Sequence, residues 1–177
     1  MEIGVVNMYN TLYKCRYLIN CLESLGFKIV LLDGFHNPEK YVYDCVKRSS
    51  ITHWVFSGSD TAVTEVSSPQ LSLELLKLPK KLMFICYAME SIIIRLGNPI
   101  RKRRVNKKEM IPLKLGGKLI HVRRNHRWYF DTVATVRPLA WYNGELMMAS
   151  YKNALFIQFH PEKSPDGKEL IMDWVRG

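Results

Sequence analysis

Two short segments carry the residue types that attack on an amide carbon requires. Phe84-Ile85-Cys86-Tyr87-Ala88-Met89-Glu90 ends an apolar run and opens a helical pattern, and Phe156-Ile157-Gln158-Phe159-His160-Pro161-Glu162 lies near the C-terminus. Together they offer a nucleophile, a base and a carboxylate. Cys86 stands where the strand pattern Lys81–Ile85 gives way to a helix, the setting of a nucleophile elbow. The positive end of that helix predicts a stabilised thiolate, and its first backbone N–H groups, notably that of Tyr87, can serve an oxyanion. Cys86 is therefore expected to be the one cysteine with raised reactivity. His160 directly follows the strand pattern Ala154–Phe159, and Glu162 can reach back to fix its tautomer and support the imidazolium. Each segment alone also suits a structural role, since free cysteine commonly ends a buried strand. Their matched strand-end placement in one chain favours chemistry.

The elements that must position these residues alternate through the first half. Glu2–Asn7 reads as a strand, Thr11–Leu25 as a helix ended by Gly26, and Lys28–Leu32 as a second strand. A helix from Pro38 to about Lys47, a strand Thr52–Ser57 and a third helix opened by Pro69 precede Lys81–Ile85 and the helix Tyr87–Leu96. This rhythm predicts a mostly parallel sheet covered on both faces. After Gly97 the pattern changes to a basic loop reaching about Lys108. Short strands follow at Lys118–Arg123, Thr132–Val136, Glu145–Ser150 and Ala154–Phe159, with turns at Gly116-Gly117 and Asn143-Gly144. A helix from about Pro165 to Val175 closes one domain over residues 1–177 with a small antiparallel accessory portion.

Length and composition fit that reading: 177 residues at 47% hydrophobic and 24% charged can bury a core without staples. No run approaches a membrane span, and the N-terminus lacks the regions of a signal peptide. The four cysteines, Cys15, Cys21, Cys45 and Cys86, show neither zinc spacing nor a disulfide framework, so a reducing, cytoplasmic setting is expected, with no metal and no cofactor. The net charge of +10 is unusual, and much of it sits in Arg101-Lys102-Arg103-Arg104, Lys107-Lys108, Arg123-Arg124 and Arg127. Such clusters can hold phosphates, nucleic acid or an acidic partner, or simply form a solvated loop. No aromatic residue interrupts Arg101–Lys108, so a stacking platform for single-stranded nucleic acid is not indicated there; nucleic acid is a possible partner of this loop but not the favoured one.

The two segments resemble the class I glutamine amidotransferases, with their G-x-C-x-G elbow and Q-F-H-P-E motif, and the resemblance covers the whole chain. Val55-Phe56-Ser57-Gly58-Ser59-Asp60 resembles the family's oxyanion segment S-G-G-P, and Asn125-His126 its substrate-contacting S-H segment. Cys86–Met89 and Gly167-Lys168-Glu169-Leu170 look most like the glutaminase part of the GMP synthases. The resemblance implies a flavodoxin-like three-layer fold and hydrolysis of the glutamine side-chain amide. Cys86 would attack, His160 would protonate ammonia and then activate water, and Glu162 would orient His160. Gly58, Ser59, Tyr87, Glu90, Asn125 and His126 would form the oxyanion and substrate site. Ammonia would pass to a separate, ATP-using synthase partner, because the chain carries no S-G-G-V-D-S loop of its own.

Three departures predict a weakened site. Phe84 and Ala88 replace the elbow glycines, and Phe84 crowds a tight turn. Ser59-Asp60 replaces Gly-Pro and brings an anion beside the oxyanion site. Glu90 replaces a glutamine, where an ionised carboxylate would repel a substrate carboxylate and raise the Cys86 pKa. Two other readings fit the same residues: a binding module that keeps the fold without the chemistry, and a stand-alone γ-glutamyl hydrolase.

Overall fold

The computed structural model describes residues 1–177, and its centre is a seven-stranded sheet. In chain order its strands are β1 (Glu2–Asn7), β2 (Lys28–Asp33), β3 (His53–Phe56), β4 (Lys81–Ile85), β7 (Arg137–Tyr142), β8 (Glu145–Tyr151) and β9 (Ala154–Ile157). The spatial order is β2-β1-β3-β4-β9-β8-β7. The first five are parallel, and β8 and β7 complete the sheet antiparallel. A separate two-stranded ribbon pairs β5 (Arg101–Leu115) with β6 (Lys118–Tyr129). The Gly116-Gly117 and Asn143-Gly144 turns have positive φ at both central residues, as two-residue hairpins with the strands' twist require.

Each face of the sheet has its own core. On one side α1 (Leu12–Ser24) and α4 (Pro165–Arg176) bury Cys15, Leu18, Leu22 and Ile171, and the ribbon adds Ile111, Leu113, Ile120 and Val122. On the other, α2 (Glu39–Arg48) and α3 (Tyr87–Arg95) bury Val42, Val46, Ile92 and Ile93. The result is the expected three-layer α/β arrangement. Caps set where the last helix starts: Ser164 accepts the Gly167 N–H at 3.1 Å, and Pro165 takes the first helical position. Gly167 sits against the Pro161 backbone, where a Cβ would fall 2.6 Å from the Pro161 Cα. That contact draws α4 onto the turn carrying His160 and Glu162.

Three expectations are corrected. The helix opened by Pro69 is only a 3-10 turn over Leu73–Lys77, with Pro79 disfavouring helical backbone just beyond it. The strand expected at Thr132–Val136 is irregular, because Asn98 takes the Ala134 N–H at 2.8 Å and donates to the Thr135 hydroxyl at 2.5 Å; the strand is Arg137–Tyr142 instead. The basic loop Arg101–Lys108 is not a loop but the first half of β5. Its pairing partner β6 runs on to Tyr129, well past the Arg123 expected from the apolar pattern. A bulge between Lys102 and Lys107 interrupts the register, and the Arg127 guanidinium holds it by donating to the Arg103 and Arg104 carbonyls, both at 2.9 Å.

Candidate active site

The carboxyl ends of the adjacent strands β3, β4 and β9 carry Gly58, Cys86 and His160 into one neighbourhood, where ligands gather in open α/β sheets. Cys86 joins β4 to α3 with φ 50° and ψ −108°. A non-glycine residue held there stores on the order of 1–3 kcal/mol of strain. Hydrogen bonds on both sides hold it: its N–H donates to Ile157 at 2.7 Å, and its carbonyl accepts from the Glu90 N–H at 3.0 Å. This is the geometry of an elbow. Phe84, two residues earlier, does not enter the turn. Its ring is fully buried and stacks between Phe56 (4.6 Å) and Phe156 (5.3 Å) from the flanking strands.

His160 is tied down at both ends. Its N–H donates to the Arg123 carbonyl of β6 at 2.8 Å, and its Nδ1 lies 2.9 Å from Glu162 Oε1, with both side chains nearly closed to solvent. Burial acts to raise the Glu162 carboxyl, but the charge and hydrogen bond of His160, with a backbone N–H and Lys163, outweigh it and hold the group below the usual carboxylate range. Gly58 covers the pair: a Cβ there would lie 3.0 Å from the Tyr9 hydroxyl, 3.3 Å from His160 Cε1 and 3.6 Å from Cys86 Cβ. Only glycine leaves the close approach unstrained.

No hydrogen bond joins the Cys86 sulfur to the imidazole. The thiol faces the Asn125 carbonyl at 3.8 Å and accepts from Gln158 Nε2 at 3.7 Å. Its environment also departs from the expected stabilised thiolate. Burial, then the carboxylates of Glu90 and Glu162, push the thiol well up, against the opposing Tyr87 N–H and Gln158 amide. Four residues along the helix, Glu90 is buried, and its Oε1 accepts from the same Gln158 nitrogen at 2.8 Å. Burial raises the Glu90 carboxyl to about 7. No arginine reaches it; Gln158 is its hydrogen-bond partner.

A cavity of about 430 Å³ opens above these residues. Cys86, Tyr87 and Glu90 form its floor, Ser59 and Asp60 one side, and Asn125, His126, Lys102 and Arg127 of the ribbon the other. Gly58, His160 and Glu162 do not line this cavity, but Gly58 packs against both His160 and the floor residue Cys86. Asp60 is exposed and paired with Lys14, which screens its charge from the cavity. Asn125 is steadied by the Asn106 amide at 2.7 Å. His126 is buried, with Nε2 3.0 Å from Glu145 Oε2. Burial and the Arg103 and Arg124 guanidiniums favour its neutral ring, leaving Nδ1 an acceptor without a partner. Glu145 also binds Arg103 and Arg124, and Arg124 in turn binds Glu109.

Sequence reasoning missed Tyr9, Gln158 and Glu145. Tyr9 stands just past the end of β1, so the strand-end rule that located Cys86 and His160 would have found it. Gln158 sits inside the quoted C-terminal segment, but nothing in the sequence shows that its amide bridges Cys86 and Glu90. No group of His, Cys, Asp and Glu is arranged to hold a metal ion, and no helix is long and apolar enough to cross a membrane.

A family model described as glutamine amidotransferase class-I matches residues 7–175. Among solved structures, the chain is similar to a putative GMP synthase subunit protein from Thermoplasma acidophilum, with TM-score 0.74 and 16% identity over 99% of this chain and 92% of that one. It is also similar to a glutamine amidotransferase from Thermotoga maritima, with TM-score 0.62 and 12% identity over 99% of this chain and 83% of the other. At such identities the two structures speak to the fold. No curated protein sequence matches the chain significantly.

Proposed function

We propose that this chain, which belongs to the class I glutamine amidotransferase family, hydrolyses the side-chain amide of glutamine through a thioester on Cys86. The observation that carries the reading is the strained Cys86 backbone, placed beside a buried His160–Glu162 pair under Gly58. Strain of this kind persists where the surroundings enforce it, and here they aim a nucleophile.

Because burial and Glu90 disfavour a resting thiolate, the thiol gives up its proton as it attacks. Rotation about the Cys86 side chain takes the sulfur from the Asn125 carbonyl toward His160. His160 accepts the thiol proton while sulfur adds to the amide carbon, and Glu162 steadies the imidazolium. The Tyr87 N–H and the Gly58-Ser59 backbone stabilise the oxyanion. Collapse breaks the C–N bond, and His160 returns the proton to departing ammonia. Water then loses a proton to His160, adds to the thioester carbon and releases glutamate and the thiol.

The ammonia passes to a separate, ATP-using synthase partner of the GMP synthase kind, a reading supported by the likeness to a protein described as a putative GMP synthase subunit. All four cysteines are unpaired, which suits a cytoplasmic setting. A second reading, a binding module that keeps the fold, is favoured by the buried Glu90 and by the sulfur's contact with Asn125 instead of His160. Incubation with a glutamine-like chloroketone, followed by peptide mass spectrometry, separates the two. A single adduct on Cys86, blocked by glutamine, is the expected result; no adduct at Cys86 would reject catalysis.

A further inference from the structure

The ribbon carries the whole net charge of the protein. Residues 101–129 hold eleven of the 26 lysines and arginines and one of the 16 acidic residues. The ribbon is therefore +10, and the remaining 148 residues balance at fifteen of each sign. Four ribbon cations meet carboxylates: Arg101 with Asp131, Arg103 with Glu145, Lys118 with Glu169, and Arg124 with Glu109 and Glu145. The other seven have no carboxylate within ion-pair distance. Concentrating unpaired like charge on one element opposes the compact state, so its retention asks for a ligand.

We propose that this surface binds the phosphate backbone of nucleic acid, independently of base sequence and independently of the amidase chemistry. The inner face of the ribbon is fixed to the body through Ile111, Leu113, Ile120 and Val122. Strand alternation then turns Lys108 and Lys114 to solvent with the half-buried Arg123 on the same face, whereas Lys107 is exposed on the opposite face, across from His126. Lys108 to Lys114 spans about 20 Å of extended chain, a line of charge matched to a phosphate backbone. Because its inner face is covered, the ribbon presents only one face and cannot sink into a groove to read base edges. Trp128 and Tyr129 are already capped by Lys102 (4.9 Å) and Arg103 (4.7 Å), so stacking on bases is not the mode.

An acidic protein is the weaker occupant. The exposed Met110 and Leu119 lie opposite Arg123 and Lys114 across the ribbon, so no continuous apolar centre forms. Protein interfaces build such centres and are poor in lysine, the residue this face favours. Lysine suits a phosphate as a compact point charge.

The test is fluorescence anisotropy with a labelled random-sequence 20-base-pair DNA duplex at 50 to 200 mM salt, using the full chain. If Arg104, Lys108, Lys114 and Arg123, unpaired cations away from the cavity wall, engage, wild-type affinity falls by roughly 10²-fold across that range. The double variant Lys108→Gln, Lys114→Gln falls only about tenfold, its log–log slope shallower by about 2, with an unchanged melting temperature and amidase rate. Lys114→Glu alone provides a second, milder variant expected to weaken duplex binding. Poly-L-glutamate at equal charge binds less tightly than the duplex. The proposal is overturned by no duplex binding at 50 mM salt, by a salt slope that the double variant leaves unchanged, or by poly-L-glutamate binding as tightly as DNA, which would assign the surface to an acidic protein.

Discussion

Replacing Glu90 by glutamine tests whether the carboxylate beneath the nucleophile restrains the site. The Glu90 carboxyl rises from 4.5 to about 7 on burial. A carboxyl raised in the folded state favours folding in its protonated form, so its contribution is present below 4.5 and is lost as pH climbs through 7. Full ionisation therefore costs the fold on the order of 3 kcal/mol by pH 8, and under about 1 kcal/mol at pH 5. Glutamine keeps an acceptor for Gln158 and removes this penalty. Urea unfolding at the two pH values should show Glu90→Gln gaining about 2–3 kcal/mol relative to wild type between pH 5 and pH 8. The activity effect follows from distance. Glu90 Oε1 and Cys86 Sγ share the Gln158 nitrogen at 2.8 and 3.7 Å, so they lie at most about 6.5 Å apart. At an effective dielectric near 20 that repulsion is about 2.5 kcal/mol. Because thiolate nucleophilicity changes about half as steeply as basicity, roughly half reaches the rate, a gain near tenfold in kcat/KM at pH 8. A coupled assay of glutamate release reads it. A stability difference that does not change with pH, together with a loss of activity at pH 8, would refute the reasoning and make Glu90 a working part of the substrate site.

Two further substitutions probe the frame around the cavity. Phe84→Ala removes the middle ring of a three-strand stack and should destabilise by about 3–5 kcal/mol in chemical denaturation, whereas a turn-crowding Phe84 would be relieved by the same change. Glu145→Gln leaves Arg103 without a carboxylate and Arg124 with only the half-exposed Glu109. It should lower stability by about 3–5 kcal/mol and the melting temperature by roughly 10 °C in calorimetry.

Much of the frame was legible because it depends on local pattern. Strand-helix alternation set the parallel sheet, and strand-end placement singled out Cys86 and His160, since a carboxyl strand end is where chain direction delivers a side chain to the open edge. The family match across residues 7–175 agrees with the motifs read at those ends. Other features were hidden because they depend on residues distant in sequence. The run Arg101–Lys108 looks like a loop until β6 pairs with it, and Thr132–Val136 looks like a strand until the Asn98 side chain takes its hydrogen bonds. Phe84 seemed an obstruction in the elbow, yet its ring belongs to a stack with Phe56 and Phe156, which are 28 and 72 residues away. The charge state of the site was the least legible of all. A helix start by itself favours a thiolate, but full burial of Cys86 beside Glu90 reverses that preference, because desolvation of an anion outweighs the field of one helical turn.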